Sequence, residues 1–492
     1  MNFPILTYII SSTLLGAVLV LFVPKKNIFL IKTIATLATA IPLLLSVILL
    51  FRFNLSGADM QFQEKLAWIP QINVWYHLGA DGISIGLIFL TALLGFLACI
   101  ASYSINTREK EYFFFYLLLN VGMLGTFMAL DLFLFYMFWE VVLVPMYFLI
   151  GIWGGPRKEY AAIKFFLYTL AGSLFMLLGI LALYFTSTPH TFNMLELTQP
   201  AHALTLGLQI LIFIALFLGF AIKVPIFPFH TWLPDAHVEA PTPVSVLLAG
   251  VLLKMGAYGF FRISFPILKE AAHYFVFPLA VLGVINIIYG AFVAMAQKDF
   301  KKMVAYSSVS HMGFVILGLA SMTVIGFNGA LLEMFNHGII TGGMFLLVGV
   351  LYERTHTREL DKFGGLGVKM PVYAGLLTVF SLASLGLPGL SGFVSEFLSL
   401  LGAYPVFKLI TVISVLGMII TAAYFLYMLQ RVLLGRLNEK WADIVDMNKL
   451  EIFIIVPLLL IMIVIGVYPL IALKYQASAI NALMQKMGGM LF

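Results

Sequence analysis

The sequence predicts an all-α polytopic membrane protein of about fourteen transmembrane helices, with two inverted five-helix repeats and broken seventh and twelfth spans. Three observations lead there. The 492 residues are 62% hydrophobic and 10% charged, with mean hydropathy +1.05, too little polar surface to cover a soluble chain of this length. Apolar runs of about 20 residues recur, the length that crosses a bilayer as helix, and they are continuous rather than alternating, which excludes a β-barrel. Prolines and charges then gather inside two of the runs, "KVPIFPFHTWLP" and "LASLGLPGLSGFVSEF".

Taken in order, the spans read as 4–23, 29–50, 79–103, 111–129, 131–152, 160–186, 207–226, 243–265, 272–296, 302–320, 324–352, 372–403, 406–430 and 450–472. The first is long enough to span and lacks a cleavage site, so it reads as a retained helix. Segment 51–78 is polar and aromatic, with Trp68, Trp75 and Tyr76, and suits a membrane-interface loop. Loops on one side carry Lys25, Lys26, Arg108, Lys110, Arg157, Lys158, Lys298, Lys301, Lys302, Arg354, Arg358, Lys362, Lys369, Arg431, Arg436, Lys440 and Lys449. The other side has only Arg52, Lys65, Lys269, Lys408, Lys474 and Lys486. This bias supports the count and places both termini outside the cytoplasm.

Span starts near 111, 131, 160, 207 and 243 are echoed near 272, 302, 324, 372 and 406, about 161–171 residues on. Five is odd, so the second unit enters from the opposite side, an inverted repeat of the kind transporters use. The chain divides into 1–110, an N-terminal three-helix segment with its interface loop; 111–265 and 272–430, the two five-helix repeats; and 431–492, a cytoplasmic loop, the last span and a tail. Glu140 is matched by His311, and Lys223 by Glu396. Proline removes a backbone donor, and irregular backbone survives at membrane depth only when buried in protein or lining a wet cavity.

A lysine at mid-bilayer costs roughly 2.5–3.5 kcal/mol, so such residues usually have a partner or a task. The in-span candidates are Asp131, Glu140, Lys164, Lys223, Lys254, His311, Glu333, His337 and Glu396. Lys32 and Arg262 lie near helix ends and can snorkel. Lys164 reads either way. Asp131 and Glu333 read as structural or interfacial groups. Glu140 and Lys223 can be a static ion pair or proton carriers; His311 and His337 can be core histidines or relays. As a set, groups of both signs over several helices resemble a proton wire more than a lattice of staples, because burial favours the neutral form of acids and bases alike.

Other chemistries find less support. Cys99 is the single cysteine, and an iron–sulfur cluster needs about four thiolates. His230 and His237 stand seven apart around prolines, which is no metal-ligand spacing, and no histidine pair suggests haem. No Gly-rich phosphate loop follows a strand. The net charge of +6 reports loop topology rather than nucleic acid. The chain is therefore expected to hold no cofactor and no metal.

The stretch "KVPIFPFHTWLPDAHVEAPTPVSVLLAGVLLKMGAYG" resembles the signature of the antiporter-like membrane subunits of respiratory complex I, NADH-quinone oxidoreductase. "YHLGADGIS", "FYMFWEVVLVPMYFLIGIWGG", "KKMVAYSSVSHMGF" and "GFVSEF" support it across nearly the whole chain. Glu396 stands where the sibling subunits usually carry lysine, which resembles the M (chain 4) type. The resemblance implies a proton-pumping module whose pathway is Glu140 paired with Lys223, then Lys254, His311, His337 and Glu396. It implies that NADH, FMN, iron–sulfur clusters and quinone belong to other subunits. The partners would be the two sibling antiporter-like subunits, with the lateral helix of the longest one, and the location a bacterial plasma membrane. Alternatives are a subunit of a Na⁺/H⁺ antiporter complex or a membrane-bound hydrogenase, and a passive scaffold.

Overall fold

The computed structural model describes residues 4–199 and 202–488. Helices α1 (Ile5–Phe22) and α2 (Ile28–Arg52) lead to an antiparallel hairpin of β1 (Gln61–Ile69) and β2 (Val74–Ala80). Then come α3 (Ile85–Ala101), α4 (Glu109–Met128), α5 (Leu132–Trp153) and α6 (Lys158–Thr186). The seventh span is two pieces, α7 (Leu206–Lys223) and α8 (Trp232–Glu239). The eighth, α9 (Thr242–Ile267), is continuous but carries two π-helical segments, Leu248–Leu252 and Phe260–Ser264. Next are α10 (Lys269–Met295), α11 (Phe300–Ala320) and α12 (Val324–Thr355). The twelfth span is again two pieces, α13 (Pro371–Ser384) and α14 (Ser391–Ala403), followed by α15 (Lys408–Leu433), α16 (Lys449–Val467) and α17 (Leu470–Met487).

Among the described residues, 13 helices are long and apolar enough to cross a membrane. The remaining expected span is the broken pair α13 and α14, so the sequence count and the structure agree. Burial sorts the helices. The apolar stretch of α9 is 100% buried, and those of α11 and α12 are 94% buried, against 28% for α16 and 33% for α2 and α15. The three buried helices form the centre, and the least buried ones, such as α2, α15 and α16, present apolar faces outward, as lipid contact requires. Lys254, His311, Glu333 and His337 all lie on the central three, where polar groups can meet protein rather than hydrocarbon.

The structure departs from the sequence reading in three places. Segment 51–78 is not all loop. It folds into the hairpin, with Lys65 opposite His77 and Ala67 opposite Trp75, turning through Pro70–Ile72 and Asn73, whose φ of 55° is left-handed. Trp75 N–H donates to Asp131 Oδ2 (3.1 Å), while Asp131 Oδ1 caps α5 by accepting from Phe133 and Leu134 N–H. Asp131 is structural, as expected. Second, the tail contains α17, which buries Gln476, Ala479, Ile480 and Leu483. That spacing marks one apolar helix face.

Third, Arg262 does not snorkel. Its Nη2 lies 2.5 Å from Asp81 Oδ1, its Nε donates to Tyr258 Oη (3.1 Å), and both ends of the ion pair are buried. Arg262 sits in the second π-helical segment. The pair ties the N-terminal segment to the last span of the first repeat.

Candidate functional site

The first break follows directly on Lys223, the last residue of α7. Its side chain is 2% exposed, and its ammonium lies over the rings of Trp139 (5.1 Å) and Phe165 (5.9 Å). Pro225 and Pro228 interrupt the backbone ladder just beyond it. Asn286 of α10 takes over the freed groups: Phe227 N–H donates to Asn286 Oδ1 (2.7 Å), and Asn286 Nδ2 donates to the Pro225 carbonyl (3.1 Å).

Glu140, on α5, makes no direct ion pair with Lys223, which leaves the contact through one or two waters that the sequence also allowed. No ion pair of 4.0 Å or less joins them. Glu140 Oε1 is buried without a hydrogen-bond partner among the described residues, beside Tyr136 one turn earlier. The two charges act on each other through space. Trp139, next to Glu140 in sequence, is the residue whose ring faces the ammonium.

Lys254 is 0% exposed, at the centre of the fold. The π-helical segment just before it widens the turn and loosens the backbone ladder. Lys254 Nζ donates to the Ala249 carbonyl (2.5 Å) and contacts His337 Nδ1 at 2.6 Å. His337 stacks obliquely on His311, ring centroids 5.6 Å apart. His311 Nδ1 is hydrogen-bonded with Glu396 Oε1 (2.8 Å), and its Nε2 with Ser384 Oγ (3.1 Å). The sequence candidates Lys254, His337, His311 and Glu396 thus form one buried line from α9 through α12 and α11 to α14.

The second break lies between Ser384 and Ser391. Gly386 (φ 81°) and Gly389 (φ 94°) take left-handed conformations there, open to glycine at little cost. Asn336 of α12 serves this break, its Nδ2 donating to the Ser391 carbonyl (2.8 Å) and to Ser395 Oγ (3.1 Å). A cavity of about 10 Å³ lies beside it, lined by His311, Glu333, His337, Ser384 and Glu396 among others. That is close to the room one water needs.

Glu333 is the site residue the sequence reading set aside. It is 2% exposed, with Oε1 at 3.9 Å from His311 Nδ1 and Oε2 accepting from Ser395 Oγ (2.6 Å). A signal was available: Glu333 and His337 are four apart on α12, hence on one helix face. His311, Glu333 and Glu396 are also a group that could hold a metal ion, with ligand atoms within 4.8 Å of one another. A proton on the His311–Glu396 contact accounts for the same closeness.

The other candidates make local contacts away from this line. Lys164 Nζ pairs with Asp235 Oδ2 (2.8 Å), which Arg157 also approaches. Lys32 donates to the Tyr103 carbonyl (2.9 Å). His230 packs against Phe227 and Tyr289, and His237 stacks on Phe345.

A family model described as "NADH:quinone oxidoreductase/Mrp antiporter, TM" matches residues 129–421, which contain every residue of this line. The chain belongs to that family. Within the antiporter family it is similar to NADH-quinone oxidoreductase subunit M of Rickettsia conorii, 44% identical over 455 residues, with 92% of each chain covered. Subunit M of Rhodobacter capsulatus is 44% identical over 465 residues, covering 92% of this chain and 90% of that one. NAD(P)H-quinone oxidoreductase chain 4 1 of Synechococcus is 46% identical over 434 residues, covering 86% and 82%. Among solved structures, a chain of respiratory complex I from Thermus thermophilus superposes with TM-score 0.89 at 33% identity, covering 98% of this chain and 99% of that one. A chain of the Mrp complex from Dietzia shares the fold, with TM-score 0.86 at 20% identity over 99% and 100%.

Proposed function

We propose that this chain is the M-type proton-translocating membrane subunit of an NADH-quinone oxidoreductase. The observation that carries the reading is the buried series Lys254–His337–His311–Glu396, in which successive groups touch or nearly touch. In it a proton on Lys254 Nζ has an imidazole nitrogen to receive it, and His311 has a carboxylate to pass it to. Glu140 and Lys223 form the other end. Two unit charges at about 4 Å and an effective dielectric near 20 interact by about 4 kcal/mol, falling with distance. A carboxylate drawn toward or away from Lys223 therefore changes the lysine's hold on its proton, which couples the pathway electrostatically to events outside it.

Electrons take no part in this chain. NADH, FMN, iron–sulfur clusters and quinone are assigned to other subunits, and the sibling antiporter-like subunits to its flanks. The loop charges favour both termini outside the cytoplasm, and the similarity to bacterial subunits favours a bacterial plasma membrane. In the reconstituted complex, Glu396→Gln should lower proton pumping and coupled NADH turnover with assembly intact. Normal pumping by that variant would remove Glu396 from the pathway and the reading with it.

A further inference from the structure

We infer that Glu333 is a proton-carrying residue of the second broken span, acting with Glu396 on the two sides of His311. The inference rests on the reading of this chain as a proton pump. Two carboxylates and one imidazole converge here: His311 Nδ1 lies 2.8 Å from Glu396 Oε1 and 3.9 Å from Glu333 Oε1, with all three side chains buried. Like charges this close in a buried site, with atoms of all three groups within 4.8 Å of one another, do not both persist beside a single imidazole, so the cluster holds at least one proton that it can give or take. Lys254 of α9 and Tyr424 of α15 act on the same cluster electrostatically.

The second observation concerns how a proton arrives. His337 Nδ1 faces Lys254, while its Nε2 is buried without a partner among the described residues. His337 also lines the cavity it shares with His311, Glu333 and Glu396. One water there closes the gap. Lys254 Nζ gives a proton to His337 Nδ1, His337 Nε2–H gives one to the water, and the water gives another to Glu333 Oε1. The water is unchanged, His337 ends neutral as its other tautomer, and the charge has moved from Lys254 to the cluster. Glu333 is then the entry to the cluster and Glu396 the exit.

A purely structural Glu333 would serve only as acceptor for Ser395 Oγ, and a glutamine carbonyl does that equally well. The test uses the complete complex in proteoliposomes, with Glu333→Gln, Glu333→Asp and Glu333→Ala beside Glu396→Gln. Assembly is checked on native gels and quinone reduction in detergent. We expect Glu333→Gln to assemble and reduce quinone normally, yet lose pumping to the level of Glu396→Gln, with Glu333→Asp recovering part of it. The infrared difference spectrum should also lose one carboxylic-acid C=O band in Glu333→Gln. Wild-type pumping by Glu333→Gln with loss in Glu396→Gln would overturn this inference and leave the pump standing. So would loss in Glu333→Ala alone, which would make Glu333 a hydrogen-bond acceptor. Normal pumping by Glu396→Gln would overturn both.

Discussion

At the first break Asn286 uses both ends of its amide on interrupted backbone, accepting from Phe227 and donating to Pro225. At the second, Asn336 donates to Ser391 and Ser395, and its Oδ1 is left buried without a partner among the described residues. The charges differ in the same sense. Lys223 is walled by Trp139 and Phe165 and makes no ion pair among the described residues, whereas Glu396 meets an imidazole at 2.8 Å beside a small polar cavity. One break is closed and works at a distance; the other is left partly unsatisfied, where a water can enter. A proton path needs both: a charge that can be biased from outside, and a contact chain that conducts.

Substitutions can break or sharpen that contrast. The largest effect should come from Lys254, which stands between the two breaks. Lys254→Met removes the donor to His337 and should abolish pumping through this subunit in proteoliposomes, while NADH oxidation by detergent-solubilised complex persists. Glu140→Ala comes next. Since no ion pair binds it to Lys223, the complex should assemble and bind NADH and quinone, yet lose most pumping. Glu140→Asp should keep part of it. Failure of Glu140→Ala to assemble would make the residue a staple after all.

Stability should separate the breaks next. Asn286→Ala leaves a backbone donor and a backbone acceptor unpaired, at about 1–3 kcal/mol each, and should lower the melting temperature of the purified complex. Asn336→Ala strands no backbone group, because Ser395 Oγ also donates to the Ser391 carbonyl (3.3 Å), and should lower it less. Equal shifts would erase the distinction between the closed and the open break.

The smallest effect lies away from both breaks, on the hairpin. Burial first, and then Lys65, push His77 down to about 4 from its ordinary 6.5. The folded hairpin therefore binds fewer protons than the opened one. Its stability is full above about pH 6.5 and is lost as pH falls from there toward 4. Hydrogen exchange corrected for its intrinsic pH dependence should show extra opening at pH 5 over pH 7.5, and His77→Leu should remove the excess.

The spans, the two breaks and most charged positions were legible because bilayer physics writes them as run length, proline and rare charge. The hairpin was not. Register shifts between Gln61 and Glu64, and between Ala67 and Ile69, blur the two-residue alternation that marks a strand. The π-helical segments were invisible because inserting one residue into a uniformly apolar helix leaves no mark on composition. Pairings such as Lys254 with His337, 83 residues apart, need the fold. The place of Glu333 beside His311 was not anticipated residue by residue, although its spacing from His337 already put both on one face. Arg262 was misjudged because proximity to a helix end says nothing of a partner 181 residues earlier.

That last separation has a consequence for how the chain is made. Asp81 emerges from the ribosome long before Arg262, and two repeats' worth of helices are still to come when α3 is inserted. Burying Asp81 without its partner would cost about 3–5 kcal/mol, and until α9 arrives Arg262 is not there to meet it. Asp81 must wait in water at the membrane surface, with the turn between β2 and α3 open. The part synthesised first is therefore sealed late, by a helix from the middle of the message, and a chain truncated before α9 leaves its beginning unfinished.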